Sequence, residues 1–230
     1  MLSRLNNYIG IERFTTKIYD FADTFINGAA GKNMKLDEIK TKPKSGDERL
    51  NLHDNLLQYN LIDFWRWSAS DLLSNATRGI LAEFIVGTAI GMPKNNVRAE
   101  WDDYDLKTQE GIKIEVKSAA FIQSWEQNKF SSISFNIKPG KARDLVTGKR
   151  TAICKRHADI YVFCLLKHKE KSTIDPLKLE QWEFYVVPTS TINKYGIEQS
   201  KIGLNPVRKM VKPVGYSDLN ETIKKSLAIK

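Results

Sequence analysis

The feature that most constrains the fold is a strictly alternating stretch, IKIEVK, at residues 112–117 of the 230-residue chain. Its apolar residues point to one side and Lys113, Glu115 and Lys117 point to the other, which is typical of a β-strand with one buried face. A continuous apolar run, HADIYVFCLLK at residues 157–167, is typical of a central strand. These two segments predict a sheet that is covered by other elements.

The rest of the chain predicts helices and further strands around this sheet. Apolar spacings of three and four predict a helix in residues 1–30, followed by a polar loop or hinge in residues 31–49. A second helix is predicted in residues 56–73, and a third runs from Asn75 as N-cap to Gly91 as C-cap. Strands are predicted at residues 101–107, 111–118, 132–137, 157–167 and 182–188. This order predicts an α/β layer arrangement around one sheet.

The charge of the chain favours a polyanionic partner. Its 36 basic and 27 acidic residues give a formal net charge of +9. Residues 118–157 contain eight basic and two acidic residues, and residues 201–230 contain seven and two. Basic clusters bind DNA or RNA because they release counterions from the phosphates, so we expect a nucleic-acid partner.

Several classes of protein are excluded by the sequence pattern. The longest apolar run, residues 80–92, is shorter than the roughly 20 residues of a membrane span and contains Glu83. The N-terminus has no apolar signal-peptide core. Two cysteines, Cys154 and Cys164, are too few for a disulfide framework, and no Walker-type phosphate loop is present. We expect a cytoplasmic protein with no membrane contact and no nucleotide cofactor.

The alternating strand follows a short turn that predicts a hairpin. If residues 109–111 form a three-residue turn with Gly111 in the left-handed conformation, the numbers of opposed residues sum to 220. Asp105 then faces Glu115, with their Cβ atoms about 5 Å apart, and Lys117 lies on the same face. Like charges opposed in this way destabilise a sheet unless a cation lies between them.

Such a pair of carboxylates is a typical protein contribution to a magnesium site, which water and substrate phosphate complete. Asp105 and Glu115 are therefore candidate metal ligands, and the backbone carbonyl of Val116 is a possible third ligand. Lys117 can hold an attacking water or balance charge in the transition state. We expect Mg²⁺ as the cofactor, with Mn²⁺ as a substitute.

The preceding helix carries one charged residue between Arg78 and Lys94, which is Glu83. Its neighbours on the helix are apolar or small, so we expect Glu83 to be buried. A buried carboxylate needs a partner, a raised pKa or a metal. Two interpretations stay open: Glu83 belongs to the metal site, or it forms a salt bridge with a basic residue such as Arg78.

The segments RGILAEFIVG, YDL and IEVKS together resemble the PD-(D/E)XK nuclease superfamily of restriction-endonuclease-like proteins. In that superfamily a helix with a Glu precedes a hairpin that carries an Asp and then a (Glu or Asp)-x-Lys motif. The resemblance covers about residues 75–165. It implies a restriction-endonuclease-like αβββαβ core, with a central mixed sheet flanked by helices, and Mg²⁺-dependent hydrolysis of phosphodiester bonds.

The resemblance also implies roles for individual residues. Asp105 and Glu115 would bind the metal, Lys117 would handle the water, and Glu83 would be a supporting or second-metal carboxylate. Tyr104 stands where the proline of the motif is found. The alternatives to Asp105 as the metal carboxylate are Asp102 and Asp103.

Further residues are predicted to contact nucleic acid. Gln123 follows the E-x-K strand, where similar nucleases often carry a Gln, and its alternative interpretation is a surface glutamine. Trp125 is interpreted either as a core residue or as a DNA contact. The basic candidates for phosphate contacts are Arg143, Lys149, Arg150 and Arg156. The alternative interpretation is that these residues form a solvated basic loop.

We therefore predict a Mg²⁺-dependent DNA endonuclease, most like a type II restriction enzyme, that acts on double-stranded DNA as a homodimer, because two-fold symmetry brings one site to each strand. Residues 1–60 are predicted to be a helical extension for dimerisation or DNA contact, and residues 61–230 a nuclease core with a basic C-terminal segment. The alternatives are a repair or junction-resolving nuclease of the same superfamily and a non-catalytic nucleic-acid-binding protein.

Overall fold

The structure is a computed structural model and describes residues 39–98, 102–143 and 150–227. The chain divides into two compact units, Met1–Thr41 and Lys42–Lys230. The elements described below all belong to the second unit. The helix predicted in residues 1–30 lies outside the described residues, and the predicted domain boundary after residue 60 stays a prediction.

The described part of the chain contains ten strands and five α-helices, and seven of the strands lie between the second and the third α-helix. The strands are β1 (Arg49–Leu52), β2 (Asn55–Asn60), β3 (Leu106–Lys107), β4 (Lys113–Ala120), β5 (Ser134–Asn136), β6 (Gly140–Arg143), β7 (Arg150–Lys155), β8 (Ile160–Leu166), β9 (Trp182–Pro188) and β10 (Lys201–Gly203). The α-helices are α1 (Leu61–Ala69), α2 (Asn75–Ala89), α3 (Thr189–Tyr195), α4 (Leu204–Met210) and α5 (Tyr216–Ser226).

A four-stranded mixed sheet forms the centre of the fold, in the order β3-β4-β8-β9. The β4 and β8 strands pair in parallel, whereas β3 and β9 pair antiparallel with their neighbours. Every residue of β8 is buried, as its continuous apolar sequence predicts. The predicted α/β fold, with a central mixed sheet flanked by helices, is confirmed.

Two hydrophobic clusters cover the two faces of this sheet. On one face, Ile114 and Val116 of β4 pack with α2 and with Leu219 and Ile223 of α5. On the other face, Ala119 of β4 packs in a cluster that includes residues of β5, α3 and α4. Because successive side chains of a strand alternate, Glu115 and Lys117 lie on the second face, together with Ala119.

The order of elements differs from αβββαβ in two respects. The third predicted strand, β5, pairs with β10 and lies outside the central sheet. The described residues that precede β8 then form an antiparallel pair, β6 and β7, where the superfamily pattern has a helix. The third strand is therefore used to cover one face of the sheet rather than to extend it.

The predicted helix of residues 56–73 is wrong at both ends, because the observed helix spans only Leu61–Ala69. Residues 55–60 form β2, which follows a two-residue turn in which His53 and Asp54 have positive φ angles of 48° and 67°. Helix α1 begins after Asn60, whose side chain accepts a bond from the Asp63 amide while the Asp63 carboxylate accepts one from the Asn60 amide. This capping box sets the start of the helix at Leu61, whereas the apolar spacing alone predicts a start at residue 56.

Helix α2 places one side against the sheet. It begins after Ser74, one residue before the predicted N-cap, and buries Ala82, Ile85 and Val86. The opposite side faces solvent, because Ile80 and Phe84 are more than half exposed. No helix in the described ranges is long and apolar enough to cross a membrane.

Candidate active site

The β3–β4 hairpin has the register that the charge pattern predicts. Leu106 pairs with Ile114 and Lys107 with Lys113, so the numbers of opposed residues sum to 220. Gly111 has a φ of 89°, as the left-handed position of the turn requires. The predicted register is confirmed.

Asp105 does not continue the strand, although the sequence predicts it as a strand residue. Its backbone amide donates to the carbonyl of Ile114 at 3.0 Å, which is the residue already paired with Leu106. The chain bends here, and the Asp105 Oδ2 atom accepts a hydrogen bond of 2.7 Å from the backbone amide of Val116. The bend therefore turns the carboxylate toward β4.

Asp105, Glu115 and Lys117 come together at this edge of the sheet. The Lys117 ammonium lies 2.5 Å from the Glu115 Oε1 atom and 3.9 Å from the Asp105 Oδ2 atom. All three side chains are less than one third exposed. Asp102 and Asp103, the alternatives to Asp105, are exposed. The carboxylate that the structure brings to Glu115 is thus Asp105.

The pKa of Asp105 is raised from its ordinary value of 3.8 to about 6. Burial is the largest cause and the negative charge of Glu115 is the second, while Lys117 and the Val116 amide act in the opposite direction. Burial also lowers the pKa of Lys117, but the charges of Glu115 and Asp105 outweigh it and raise the pKa overall. At neutral pH the site therefore holds the charged Lys117 ammonium between the carboxylates of Asp105 and Glu115, whose negative charges repel each other.

Glu83 faces the same region but already has a partner. Its side chain is 14% exposed and forms a two-point ion pair with Arg98, with Nε–Oε2 at 2.5 Å and Nη2–Oε1 at 3.0 Å. The charge of Glu83 raises the pKa of both Asp105 and Lys117, so it is coupled to the site. Glu83 therefore forms a salt bridge, as one of its two interpretations predicts, but the partner is Arg98 rather than Arg78.

The donor set at this edge suits a small divalent cation. Mg²⁺ takes one or two carboxylates from a protein and keeps water or phosphate oxygens in its remaining positions. Asp105 and Glu115 supply such a pair, and the Lys117 ammonium shows that a positive charge is stabilised between them. The described residues contain no cluster of three His, Cys, Asp or Glu side chains placed to hold a metal. Asp105 and Glu115 could therefore supply two ligands to a metal, and its other ligands would have to come from water or phosphate.

Gln123 is buried, which argues against its predicted contact with nucleic acid. It is 5% exposed, and its Oε1 atom accepts a 3.1 Å bond from Arg78. Its Nε2 atom donates to the carbonyl of Ala120 and to the Ser131 hydroxyl. This side chain holds the end of β4 and the loop after it to helix α2.

Arg156 is also a structural residue rather than a phosphate contact. It is 7% exposed, and its guanidinium donates to four acceptors inside the protein. These acceptors are the carbonyls of Ile137, Gly196 and Gln199 and the side-chain oxygen of Asn193, at 2.6–3.2 Å. Four of the five N–H donors of this buried guanidinium are therefore used inside the protein, and only one is left for any other partner.

The other predicted phosphate contacts lie around the β6–β7 pair. The backbones of Arg143 and Arg150 are opposed in that pair. Lys149 lies outside the described residues. The roles of these three residues stay predictions.

Sequence reasoning missed two neighbours of the site. Arg98 was not considered as the partner of Glu83, since it lies 15 residues further along the chain. Tyr161 pairs with Glu115 across the parallel β4–β8 ladder and is 4% exposed. The continuous apolar run around Tyr161 hides which of its residues face the site, and only the register of β8 on β4 reveals it.

Comparison with known proteins identifies the family. No curated protein is significantly similar to the chain. The family model described as bacteriophage T4 endonuclease IV matches residues 28–201, a range that contains all four candidate active-site residues. Because this match covers about three quarters of the sequence, the chain belongs to the bacteriophage T4 endonuclease IV family.

Proposed function

We propose that this member of a DNA endonuclease family hydrolyses phosphodiester bonds with Mg²⁺ at the site formed by Asp105, Glu115 and Lys117. The observation that carries the proposal is the position of Lys117 between two carboxylates, 2.5 Å from one and 3.9 Å from the other. The order of Glu83, Asp105 and the Glu115-x-Lys117 motif along the chain supports membership of the PD-(D/E)XK superfamily. The mixed sheet with α2 on one face is compatible with it.

Each side chain has a role in this proposal. Asp105 and Glu115 would hold the metal, which supplies Lewis-acid stabilisation of charge on the phosphate. Lys117 would orient the attacking water or balance negative charge in the transition state. Arg98 holds the Glu83 side chain in place. The negative charge of Glu83 would favour a cation bound at Asp105 and Glu115.

The test is cleavage of plasmid and phage DNA, single-stranded and duplex, by the purified chain with Mg²⁺, with Mn²⁺ and with EDTA. Metal-dependent fragments should appear with the parent protein and disappear with Asp105→Asn and Lys117→Ala. The matched control is Asp102→Asn, which removes an exposed carboxylate close by in sequence and should leave cleavage unchanged. Cleavage that persists in EDTA, or Lys117→Ala at the parent rate, would refute the proposed site.

We also propose cleavage at discrete sequences by a homodimer, as in a type II restriction enzyme. Discrete fragments in the same assay would support sequence specificity, whereas continuous degradation to short products would contradict it. Light scattering at the protein concentration of the cleavage assay would measure the mass of the particle. A monomer that cuts both strands of a duplex would remove the reason for a dimer.

A further inference from the structure

The loop that follows β4, residues 121–131, presents aromatic side chains to solvent. Trp125 and Phe130 are each 52% exposed. Phe130 has a structural role, because its ring packs edge-on against Phe121 with their centroids 6.2 Å apart. The Trp125 ring has no aromatic or cation–π contact within the described part of the chain. The half-exposed Trp125 ring therefore leaves its faces open to a ligand.

This loop is held by hydrogen bonds among the buried Gln123 and the half-buried Gln127 and Ser131. The Gln127 Oε1 atom accepts a 2.6 Å bond from the Gln123 amide, and the Gln127 Nε2 atom donates to Ser131 at 3.0 Å. The Ser131 amide closes the loop on the carbonyl of Phe121 at 2.9 Å. Arg78 of α2 donates a hydrogen bond of 3.1 Å to the Oε1 atom of Gln123. Binding through Trp125 would therefore require little further ordering of the loop.

The loop leaves the sheet on the same face as the candidate active site. Glu115, Lys117, Ala119 and Phe121 alternate along one face of the chain. Ala119 belongs to the hydrophobic cluster on that face, and Phe121 packs against the same cluster. Phe121 lies four residues beyond Lys117, which corresponds to about 13 Å along the strand.

Lysines from a second loop accompany the aromatic residues. The Lys169 ammonium lies 4.6 Å from the centroid of Phe121 and 5.5 Å from that of Phe130. Lys171 donates a 2.7 Å bond to the carbonyl of Trp125. The nearby Glu170 accepts bonds from the hydroxyls of Ser172 and Thr173 rather than pairing with these lysines. The surface thus combines an exposed indole with fixed positive charge.

We propose that Trp125 and Lys169 form a second DNA contact, in which Trp125 stacks on an unpaired nucleobase and Lys169 contacts a phosphate. Aromatic side chains that stack on bases beside basic groups are a common means of binding single strands. This contact would lie beyond the end of β4, on the face of the sheet that carries Glu115 and Lys117, because Phe121 packs against the hydrophobic cluster of that face and Lys169 lies over Phe121. The position relative to the cleaved bond rests on the proposed function, whereas the DNA contact itself does not.

The test is the affinity of the full chain for fluorescein-labelled oligonucleotides, single-stranded and duplex, measured by anisotropy in EDTA. All proteins carry Asp105→Asn so that no strand is cut. Trp125→Ala should weaken binding of the single strand by about 5- to 150-fold, from the roughly 1–3 kcal/mol of one stacked base. Trp125→Phe should retain most of the affinity, because it retains a stacking ring.

Salt dependence separates stacking from charge. Trp125→Ala should leave the slope of log K against log salt unchanged, whereas Lys169→Ala should reduce it by about one. The control is Tyr195→Ala, which removes another exposed aromatic ring, at the end of α3, and should have no effect. Parent-like affinity of Trp125→Ala for both oligonucleotides would overturn the proposal. Failure of the wild-type chain to cleave DNA with Mg²⁺ would instead overturn the proposed function, because the binding assay does not depend on cleavage.

Discussion

Replacing Asp105 with Asn should stabilise the protein while it abolishes cleavage. The pKa of Asp105 is raised from 3.8 to about 6, first by burial and then by Glu115, so the folded protein disfavours the ionised form. A shift of about two units corresponds to about 3 kcal/mol of unfolding free energy at 1.36 kcal/mol per unit. Asn carries no charge, and its side-chain oxygen can still accept the bond from the Val116 amide.

The gain in stability depends on pH in a defined direction. Below about pH 4 Asp105 is protonated in both the folded and the unfolded chain, and the variant and the parent should unfold at the same temperature. Between about pH 4 and about pH 6 the unfolded chain has released this proton, whereas the folded chain still holds it. The parent therefore loses stability relative to Asp105→Asn, and the full difference is present above about pH 7.

Thermal unfolding in EDTA at about pH 4 and about pH 8 measures this difference. At the higher pH, Asp105→Asn should melt roughly 6–12 °C above the parent, given roughly 2–4 °C per kcal/mol for a chain of this size. Adding Mg²⁺ should raise the melting temperature of the parent but not that of the variant. Asp102→Asn should match the parent throughout. A variant that is no more stable than the parent at pH 8, or a difference that does not change with pH, would refute the reasoning.

Three further predictions concern the site and its support. Cleavage at sub-saturating Mg²⁺ should fall about tenfold per pH unit below about pH 6, because protonated Asp105 no longer binds the metal; a flat pH–rate profile would contradict this. Arg156→Met should lower the melting temperature, because its four acceptors lose their donor, at a cost of about 1–3 kcal/mol in unfolding free energy. The same substitution should leave the salt dependence of DNA binding unchanged in a fluorescence anisotropy titration. Gly111→Ala should cost about 1–2 kcal/mol in urea unfolding because of its φ of 89°, and an unchanged midpoint would contradict a left-handed turn.

The sequence predicts the candidate site well where the interactions are local. Alternating charges and Gly111 are sufficient for the hairpin register, because a three-residue turn determines which residues are opposed. The bend at Asp105 is not visible in the pattern. It depends on two hydrogen bonds that no periodicity encodes, one from the Asp105 amide to the Ile114 carbonyl and one from the Val116 amide to the Asp105 carboxylate.

The sequence predicts poorly where a polar side chain has distant partners. Arg156 resembles a phosphate contact in a basic segment, yet its acceptors lie 19 to 43 residues away along the chain. Gln123 resembles a surface residue, yet it meets Arg78 from a helix 45 residues earlier. Composition and charge describe a segment, whereas burial depends on which other segments fold over it.

The parallel pairing of β4 and β8 has a consequence for when the nuclease becomes active. Ile114 pairs with Ile160, which is 46 positions later, whereas the β3–β4 hairpin forms from residues close in sequence. Non-local pairing is slow, because the entropy of closing a long loop must be overcome before the contact forms. During synthesis, therefore, Asp105 and Glu115 can meet in the hairpin while the strand that carries Lys117 still has no partner on its other side. We expect the candidate site to become rigid only after the ribosome has released β8, so that any activity of this site would be delayed until most of the chain has been made.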